Sequence, residues 1–444
     1  MADIQPAEQA TRRQFFHNSA VAAAALGTMA FPQAAHARGS DILRVGLVGC
    51  GGRGTAAAID ALSADSHTEL VAIGDTFADR SAFCLQELKD TKEIDGRVKV
   101  TNESTFRGFD AYKNVIDSDI DVVLLATPPH FRPQHFAYAI DKGKHCFVEK
   151  PVAVDVPGAM RVQKTCEEAK KKNLAVVSGL CWRYDLGVRE TIKRIQDGAI
   201  GDIVAIESRY NSGTLWHRGR EPRWSEMEYQ IRNWLYFTWL SGDHINEQGI
   251  HSLDKTGWLT GDVAPVKAMG IGGRQQRTDA KYGNVFDHHV VFYEYPSGVR
   301  VFFTCRQQDN CTSFVDEIVI GTKGTARILT NHIQGENKWK YKGPKPSMYR
   351  VEHEEMFKSI RGGLPINNGD YMTNSTLVAI MGRMCTYSGQ DLQWENVISS
   401  TERLGPTKYE WTDVPIETVA IPGSVPMALS ASTKRTASSV VPPR

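Results

Sequence analysis

The sequence of 444 residues lacks an apolar run of the kind that spans a membrane. The longest candidate is an alanine-rich stretch near the N-terminus, and its length of about 15 residues falls short of the roughly 20 that a spanning helix needs. No internal repeat or heptad pattern is present. We therefore expect no stable membrane insertion of the mature protein, whose length allows two domains with substantial cores.

Excess charge and metal-binding cysteine patterns are also lacking. The chain has 52 Lys and Arg against 51 Asp and Glu, so its net charge of +1 does not point to nucleic acid or to an anionic membrane surface. The 8 cysteines show no C-x-x-C or other metal spacing, and we interpret them as buried apolar residues. Cys305 and Cys311 could pair, but a protein that folds in the cytoplasm starts reduced.

The N-terminus carries a targeting pattern. Thr11-Arg-Arg-Gln-Phe-Phe16 is a twin-arginine motif, and Ala35-His-Ala37 has the form of a cleavage site. We predict that residues 1–37 are a signal peptide read by the twin-arginine export machinery and that the protein is periplasmic or otherwise exported. A disordered basic leader is the alternative. At the other end, residues 423–444 are rich in Ser, Ala, Pro and Thr and are predicted to form a flexible tail.

The most informative feature is a glycine-rich turn. An apolar run leads into Gly49-Cys-Gly51-Gly52-Arg53-Gly54, and a helix-compatible stretch follows. In this pattern Gly49 permits the turn, Gly51 lets a pyrophosphate approach, and Gly54 lets the helix pack closely. The anion then lies on the free N–H groups of the helix start. A purely structural turn is the alternative.

An acidic residue follows at the spacing of a dinucleotide site. Asp75 ends a second apolar run about 20 residues after Gly54, where it is placed to bind a ribose diol. Its carboxylate would repel a 2′-phosphate, and no arginine directly follows it, since Arg80 lies further along. We therefore expect NAD as the cofactor in preference to NADP.

The hydrophobic pattern predicts two domains. Apolar runs at 42–48, 69–74, 121–127 and 145–149 alternate with amphipathic stretches, which indicates a parallel sheet covered by helices on both faces. Ligands of such sheets bind beyond the carboxyl ends of the strands, where Thr127-Pro128-Pro129-His130 and Glu149-Lys150-Pro151 lie.

After about residue 200 the pattern predicts long strands instead. They are expected at 203–212, 286–295, 299–307, 314–320 and 325–329, with helices at about 351–361 and 371–387. We predict an α/β protein with an N-terminal Rossmann domain at 38–160. A second α/β domain at 161–422, built on a large, mostly antiparallel open sheet, would serve substrate binding and oligomerisation.

Two stretches could carry acid–base chemistry. Lys150 at a strand end could lower the pKa of a reacting hydroxyl, or it could be a surface lysine before a turn. In the helical stretch 243–258, Glu247 and His251 would share a face, with Asp254 one turn on, which suits a general base oriented by a carboxylate. A metal site from His244, Glu247 and His251 and a solvated polar face are the alternatives, and no established zinc spacing matches.

Aromatic and basic residues could form a sugar-binding surface. Arg183 and Tyr184 follow a predicted strand at 175–180, and Trp216 and His217 belong to a loop rich in Trp, Arg and His. Arginine between aromatic rings can line a carbohydrate or can simply pack. No function is assigned to the pair His288-His289.

Taken together, these motifs resemble the Gfo/Idh/MocA oxidoreductases, named for glucose–fructose oxidoreductase and inositol dehydrogenase. The matching pieces are the glycine loop, Asp75, Thr127–His130, Glu149–Pro151 and Glu247–Asp254, in family order. The resemblance implies an NAD(P)-dependent reaction on a sugar or cyclitol, with the family lysine at Lys150 and its histidine at His251. Glu247 departs from the aspartate that the family usually carries, which leaves its role open.

Three functions are compatible with this pattern. The first is a dehydrogenase or transhydrogenase acting on a sugar or cyclitol hydroxyl, with a tightly held and internally recycled cofactor because an exported protein has no cofactor pool. The second is a redox-neutral, NAD-dependent glycosidase or lyase that works through a transient 3-keto sugar. The third, a non-catalytic binding protein, is disfavoured by Lys150 and His251.

A homodimer or homotetramer is expected from the second sheet. Both sides of the strand at 286–295 carry apolar residues, and no helices remain in the sequence to cover a second face. We take Val291 and Tyr293 as residues of the outer, subunit-facing side.

Overall fold

The computed structural model describes residues 41–424. The twin-arginine motif, the cleavage site and most of the expected tail lie outside these residues. Within residues 41–424, no helix combines the length and apolarity needed to cross a membrane.

The first half forms a parallel sheet flanked by helices. Its strand order is β3-β2-β1-β4-β5-β6, and all neighbours run parallel. The strands are β1 (Leu43–Val48), β2 (Thr68–Asp75), β3 (Thr105–Arg107), β4 (Val122–Leu125), β5 (His145–Val148) and β6 (Val176–Ser178). The helices are α1 (Gly52–Ala64), α2 (Ala78–Asp90), α3 (Ala111–Asp117), α4 (Arg132–Asp141), α5 (Val156–Lys171) and α6 (Leu186–Gln196). The sheet continues past residue 160, the boundary expected from the sequence, because β6 pairs with β5.

The second half is built on a nine-stranded sheet of order β14-β13-β12-β11-β7-β10-β9-β8-β15. Only β10 and β7 are parallel. The strands are β7 (Ile203–Ser212), β8 (Lys267–Gly273), β9 (His288–Glu294), β10 (Arg300–Gln307), β11 (Phe314–Gly321), β12 (Gly324–Arg327), β13 (His332–Gly335), β14 (Trp339–Lys340) and β15 (Leu392–Gln393). The helices are α7 (Glu226–Arg232), α8 (Thr238–Ser241), α9 (Asp243–Glu247), α10 (Ile250–Leu259), α11 (Met348–Arg361), α12 (Gly369–Ser388) and α13 (Trp394–Ile398). The α/β fold with a Rossmann sheet and a mostly antiparallel second sheet is confirmed.

One face of the large sheet packs on helices. A Cβ at Gly270 of β8 would lie 3.0 Å from Thr386 Cγ2 and 3.2 Å from Cys385 Sγ, both on α12, so glycine permits this close approach. The sequence pattern did not reveal β8, because two of its positions on this covered side, Gly270 and Gly272, are glycines.

The assignment of the two faces of β9 from the sequence was wrong. Val291 and Tyr293 are 0% and 1% exposed, on the side that α12 covers, and the Tyr293 hydroxyl donates to the Val378 carbonyl. Phe292 and Phe302 lie on the open side and are 38% and 45% exposed. Both sides of the strand are apolar, so the alternation alone could not decide which side the helix covers.

Candidate functional site

A cavity of about 520 Å³ lies along the carboxyl ends of the parallel strands. It runs from Asp75 and Arg80, past the glycine loop, to Glu247 of the second half. Of the residues singled out in the sequence, it is lined by Gly49, Gly51, Gly52, Arg53, Gly54, Asp75, Thr127, Pro128, Trp216 and Glu247. This volume falls within the range of ligand-binding cavities in proteins.

The glycine loop has the geometry of an anion cradle. Gly49 has φ +97°, and a Cβ on Gly54 would lie 1.8 Å from the Gly49 carbonyl oxygen, so both positions require glycine. By contrast, a Cβ on Gly51 would meet nothing within 4 Å, which leaves open space before the loop. Gly51 is the N-cap of α1 and no side chain caps this end, so the first N–H groups of the helix are available to a phosphate.

Asp75 stands beside this loop at the end of β2. Its Oδ2 accepts a hydrogen bond from the Cys50 N–H at 2.7 Å, and its Oδ1 accepts one from the Phe77 N–H at 2.8 Å. Burial raises the pKa of the Asp75 carboxyl above its usual value. These bonds fix the carboxylate and leave each oxygen one lone pair for a ribose hydroxyl. The open loop, the helix start and this carboxylate fit a dinucleotide.

Lys150 follows β5 and reaches across to the second half. Its Nζ donates to Glu247 Oε1 at 2.8 Å and to the Glu247 carbonyl oxygen at 2.6 Å. The preceding residue, Glu149, is buried and forms an ion pair with Arg53 of the glycine loop at 2.6 Å. The Glu149–Lys150 strand end is therefore tied both to the loop and to the second half.

The continuous helix expected at 243–258 is interrupted. The first helix ends at Glu247, and Gln248 and Gly249 separate it from the next helix. The His251 N–H donates to the Gln248 carbonyl at 3.1 Å. A Cβ on Gly249 would lie 2.5 Å from the Ile245 carbonyl oxygen, so glycine allows the tight break. Glu247 and His251 thus do not share one regular helical face, and the carboxylate holds Lys150.

His251 lies in the first turn of α10, beside these charges. Its Nδ1 is buried without a hydrogen-bond partner among the described residues. Burial lowers the pKa of the imidazole well below its usual value, and the positive charges of Lys150, Lys255 and Arg53 lower it further. A neutral imidazole is the form that can accept a proton.

Arg183, Tyr184 and Asp254, which the sequence predicted to bind substrate, do not line the cavity, and their side chains bind other protein groups instead. Arg183 is buried and donates to Asp254 Oδ1 at 2.8 Å, and its guanidinium stacks 3.9 Å from the Tyr371 ring centroid. The Tyr184 hydroxyl donates to Asn368 Oδ1 at 2.9 Å. These residues fasten α10 and α12 to the first half.

Five further sequence candidates do not line the cavity either: His130, Glu149, Lys150, His217 and His251. Lys150 is connected to it through Glu247. The His130 ring contacts Tyr409, with 2.7 Å between Nε2 and the hydroxyl oxygen, and burial lowers the pKa of His130 to about 4. His217 Nε2 lies 3.1 Å from the Lys281 carbonyl oxygen. Its neighbour Trp216 does line the cavity.

Sequence reasoning missed most of the cavity wall beyond Asp75. The wall is aromatic, aliphatic and basic, and comes from both halves: Phe77, Arg80, Phe109, Phe131, Leu215, Arg218, Ile231, Arg232, Trp234 and Leu235. The position of Phe77 two residues after Asp75 was an available signal, because residues just past the ribose-binding acid border the base. The others are assembled only by the fold.

A buried cluster of possible metal ligands was not foreseen. Asp243, His244 and His289 each offer a ligand atom within 4.8 Å of the others. The Asp243 carboxylate already accepts hydrogen bonds from the Tyr387 hydroxyl at 2.6 Å and the Phe286 N–H at 2.8 Å, and lies 2.7 Å from His244 Nδ1. We interpret the cluster as a hydrogen-bonded network that anchors α9.

Two family models match this chain. The model described as "Oxidoreductase family, NAD-binding Rossmann fold" matches residues 43–177. The model described as "GFO/IDH/MocA C-terminal domain" matches residues 188–327. Together the two matches cover more than half of the chain.

Curated relatives have several activities. 2,7-anhydro-N-acetylneuraminate hydratase of Escherichia coli (strain K12) is 28% identical over 210 residues, 47% of this chain and 51% of the relative. Inositol 2-dehydrogenase 3 of Saccharopolyspora erythraea is 28% identical over 291 residues, 64% of this chain and 73% of the relative. Glycosyl hydrolase family 109 protein 1 of Bacteroides fragilis (strain YCH46) is 26% identical over 223 residues, 49% of this chain and 46% of the relative. The chain thus matches about half the length of the first and third of these.

Solved structures share the fold. Aldose-aldose oxidoreductase from Caulobacter crescentus, complexed with glycerol, has a TM-score of 0.62 at 20% identity and covers 79% of this chain and 99% of its own. Levoglucosan dehydrogenase, in complex with NADH and levoglucosan, has a TM-score of 0.61 at 18% identity with the same coverage.

Proposed function

Because the chain belongs to the Gfo/Idh/MocA family of oxidoreductases with an NAD-binding Rossmann fold, we propose that it oxidises or reduces a hydroxyl-bearing carbon of a sugar, sugar derivative or cyclitol with NAD. The observation that carries the proposal is the continuity of one cavity from Asp75 to Glu247, whose carboxylate holds Lys150 at 2.8 Å. Through Glu247 the cavity is connected to Lys150, and the charge of Lys150 is among those that lower the pKa of His251. The names of an inositol dehydrogenase and of two carbohydrate-active relatives support the substrate class.

Each residue near Lys150 has a separate task in this proposal. NAD supplies the hydride acceptor when it is bound. His251 takes the substrate hydroxyl proton on its imidazole, which burial and neighbouring cations keep neutral. Lys150 donates a hydrogen bond to the same substrate oxygen, and Glu247 keeps the lysine Nζ in place.

We further propose that NAD is preferred over NADP and stays bound between turnovers. The Asp75 carboxylate would repel a 2′-phosphate. Arg80, Arg218 and Arg232 lie in the same cavity end, but Arg232 is already paired with Asp79 at 2.9 Å. Retention follows from the proposed export by the twin-arginine route, because an exported enzyme has no pool of free cofactor to draw on.

The proposed assembly is a homodimer or homotetramer built on the open face of the large sheet. The exposed apolar residues on this face include Met269, Ile271, Phe292 and Phe302, which are 46%, 71%, 38% and 45% exposed. Apolar patches of this kind mark interaction surfaces, and an identical sheet is a partner of matching chemistry.

Two measurements on the purified protein test the oxidoreductase. Denaturation and enzymatic assay of the supernatant should release NAD(H) in near-stoichiometric amount. Mixing the protein with a panel of cyclitols and aldoses should then raise or lower the absorbance of NADH at 340 nm. A protein without bound cofactor that binds NAD with only millimolar affinity would contradict the retained cofactor.

A redox-neutral glycosidase or lyase is the second candidate, favoured by the names of two relatives, a hydratase and a glycosyl hydrolase. In that reaction, oxidation at C3 makes the C2 proton acidic, and elimination breaks the bond to the leaving group and leaves a C1–C2 double bond. A glycosidase would then add water across this double bond, whereas a lyase would keep it, and reduction at C3 would return the hydride in both cases. Incubation with aryl glycosides separates the candidates. Release of the phenol without net NADH would favour the second.

A further inference from the structure

The cavity end beyond Asp75 is bounded by aromatic rings. Asp75 is placed to bind the adenosine ribose, and the pyrophosphate lies toward the glycine loop, so the adenine must extend to the opposite side. On that side the cavity is lined by Phe77, Phe109 and Phe131 from the first half. Flat rings suit a purine, because bases stack on aromatic side chains.

A segment from far along the chain packs on these same rings. We define residues 404–415 as the C-terminal strap. The Trp411 ring centroid lies 4.7 Å from that of Phe109 and 5.6 Å from that of Phe77. The Tyr409 ring lies 5.7 Å from Phe109 and 5.3 Å from Phe131. The strap therefore contacts every aromatic residue that the first half contributes to this cavity end.

The strap is tied to both halves of the protein. On the first half, the Leu404 N–H donates to Asp155 Oδ2 at 3.0 Å. On the second half, the Met227 N–H donates to the Thr412 carbonyl at 3.2 Å, and Gln230 Nε2 donates to the Pro415 carbonyl at 3.3 Å. It thereby bridges the two walls that enclose the adenine end.

No regular structure holds the strap. It contains no helix or strand, the last such element among the described residues being α13, which ends at Ile398. Trp411 remains 45% exposed although it covers two buried or half-buried rings. Loops held mainly by side-chain contacts open at lower free energy than the sheets and helices around them. Detachment of the strap would break these contacts but no helix or strand.

We propose that the C-terminal strap retains the dinucleotide. Tyr409 and Trp411 are positioning residues that press Phe77, Phe109 and Phe131 against the adenine, so that the cofactor leaves when the strap detaches. The proposal rests on the proposed binding of NAD in this cavity. It assigns the strap to the adenosine half of the ligand and not to the nicotinamide half.

Ligand fragments test this assignment directly. Calorimetry should be done on full-length cofactor-stripped protein with ADP-ribose and, separately, with reduced nicotinamide mononucleotide. Trp411→Ala should weaken ADP-ribose about tenfold, because it removes two ring contacts, and should leave the mononucleotide unchanged. The rate of NADH release, followed by its fluorescence on dilution into excess NAD, should rise by a similar factor. Trp411→Phe should restore both values.

Two more variants serve as a milder change within the strap and as a control outside it. Tyr409→Phe keeps the ring but removes its contact to His130, so we expect a smaller change in ADP-ribose affinity than with Trp411→Ala. Ile421→Ala, at a residue 66% exposed outside the strap, is the matched control and should change neither ligand.

The outcomes distinguish the strap from the proposed function. If Trp411→Ala weakens the binding of both fragments equally, or of neither, the proposed role of the strap is overturned. Normal NAD binding by the unaltered protein would still support the proposed function. An unaltered protein that binds neither NAD nor ADP-ribose overturns both.

Discussion

Lys150 and Glu247 are joined by a side-chain and a main-chain contact at once. Lys150 Nζ lies 2.8 Å from Glu247 Oε1 and 2.6 Å from the Glu247 carbonyl oxygen. In an unbroken helix that carbonyl would accept the N–H of residue 251, but here His251 donates to Gln248 instead. The break at Gly249 therefore frees an acceptor for the lysine and places the histidine beside it.

Removal of His251 should slow proton transfer but leave cofactor binding intact. His251→Ala is expected to lower kcat by roughly 10²–10⁴-fold, the usual contribution of a general base. The affinity for NAD, measured by calorimetry, should stay within a factor of two or so of the unaltered protein. A near-normal kcat would assign the base elsewhere, with Lys150 the next candidate.

The pH dependence should reflect the lowered pKa of His251. The base is active when neutral, so kcat/KM falls as pH decreases through its pKa, and this decrease should begin below the usual value of about 6.5. Replacing the buried pair Lys255–Glu317 by Met and Gln removes one of the cations that lower this pKa. The acid limb of the kcat/KM profile should then move to higher pH, and an unchanged limb would contradict the assignment.

Asp75 should govern the choice between NAD and NADP. Asp75→Ala removes the acceptor for the ribose hydroxyls and the repulsion of a 2′-phosphate, so NAD should bind more weakly and the gap to NADP should narrow. Titration with each dinucleotide measures both changes. Tighter binding of NADP than of NAD by the unaltered protein would show that Arg80 and Arg218 outweigh the carboxylate.

Asp254 should matter for stability and not for the chemistry. Burial lowers the pKa of the Arg183 guanidinium, but Asp254 and Asp262 raise it by more, so the pKa lies above its usual value and the group stays charged inside the protein. Asp254→Asn leaves that charge half-compensated and should reduce the free energy of unfolding by about 3 kcal/mol. Denaturant unfolding measures the loss. Unchanged stability with a large drop in kcat would restore Asp254 to the active site.

The open sheet face should carry the subunit contact. Phe292 and Phe302 are cross-strand partners, so Phe292→Lys with Phe302→Glu makes an ion pair on the monomer and removes the apolar surface. Light scattering at micromolar concentration should then find monomers. Leu364→Lys is the control, because Leu364 is 83% exposed but lies outside the sheet. A monomeric unaltered protein would contradict the proposed assembly.

Local sequence patterns determined the first half of the protein. The turn at Gly49 and the close packing of Gly54 follow from steric demands within a few residues, and Asp75 and Lys150 follow at the ends of apolar runs. These signals act over short stretches, so they remain visible without the fold. They indicated the Rossmann sheet, its cofactor edge and the family.

Only the tertiary structure decided which distant residues meet. Glu247 binds Lys150, which is 97 positions away in the sequence, and Arg183 binds Asp254, which is 71 positions away. Arg183, which the sequence suggested as a sugar ligand, is therefore part of a buried ion pair. The covered side of β9 is likewise set by the packing of α12, because both sides of the strand are apolar. Such choices depend on which surfaces complement each other in three dimensions, and hydrophobic periodicity within one segment carries no information about its partner.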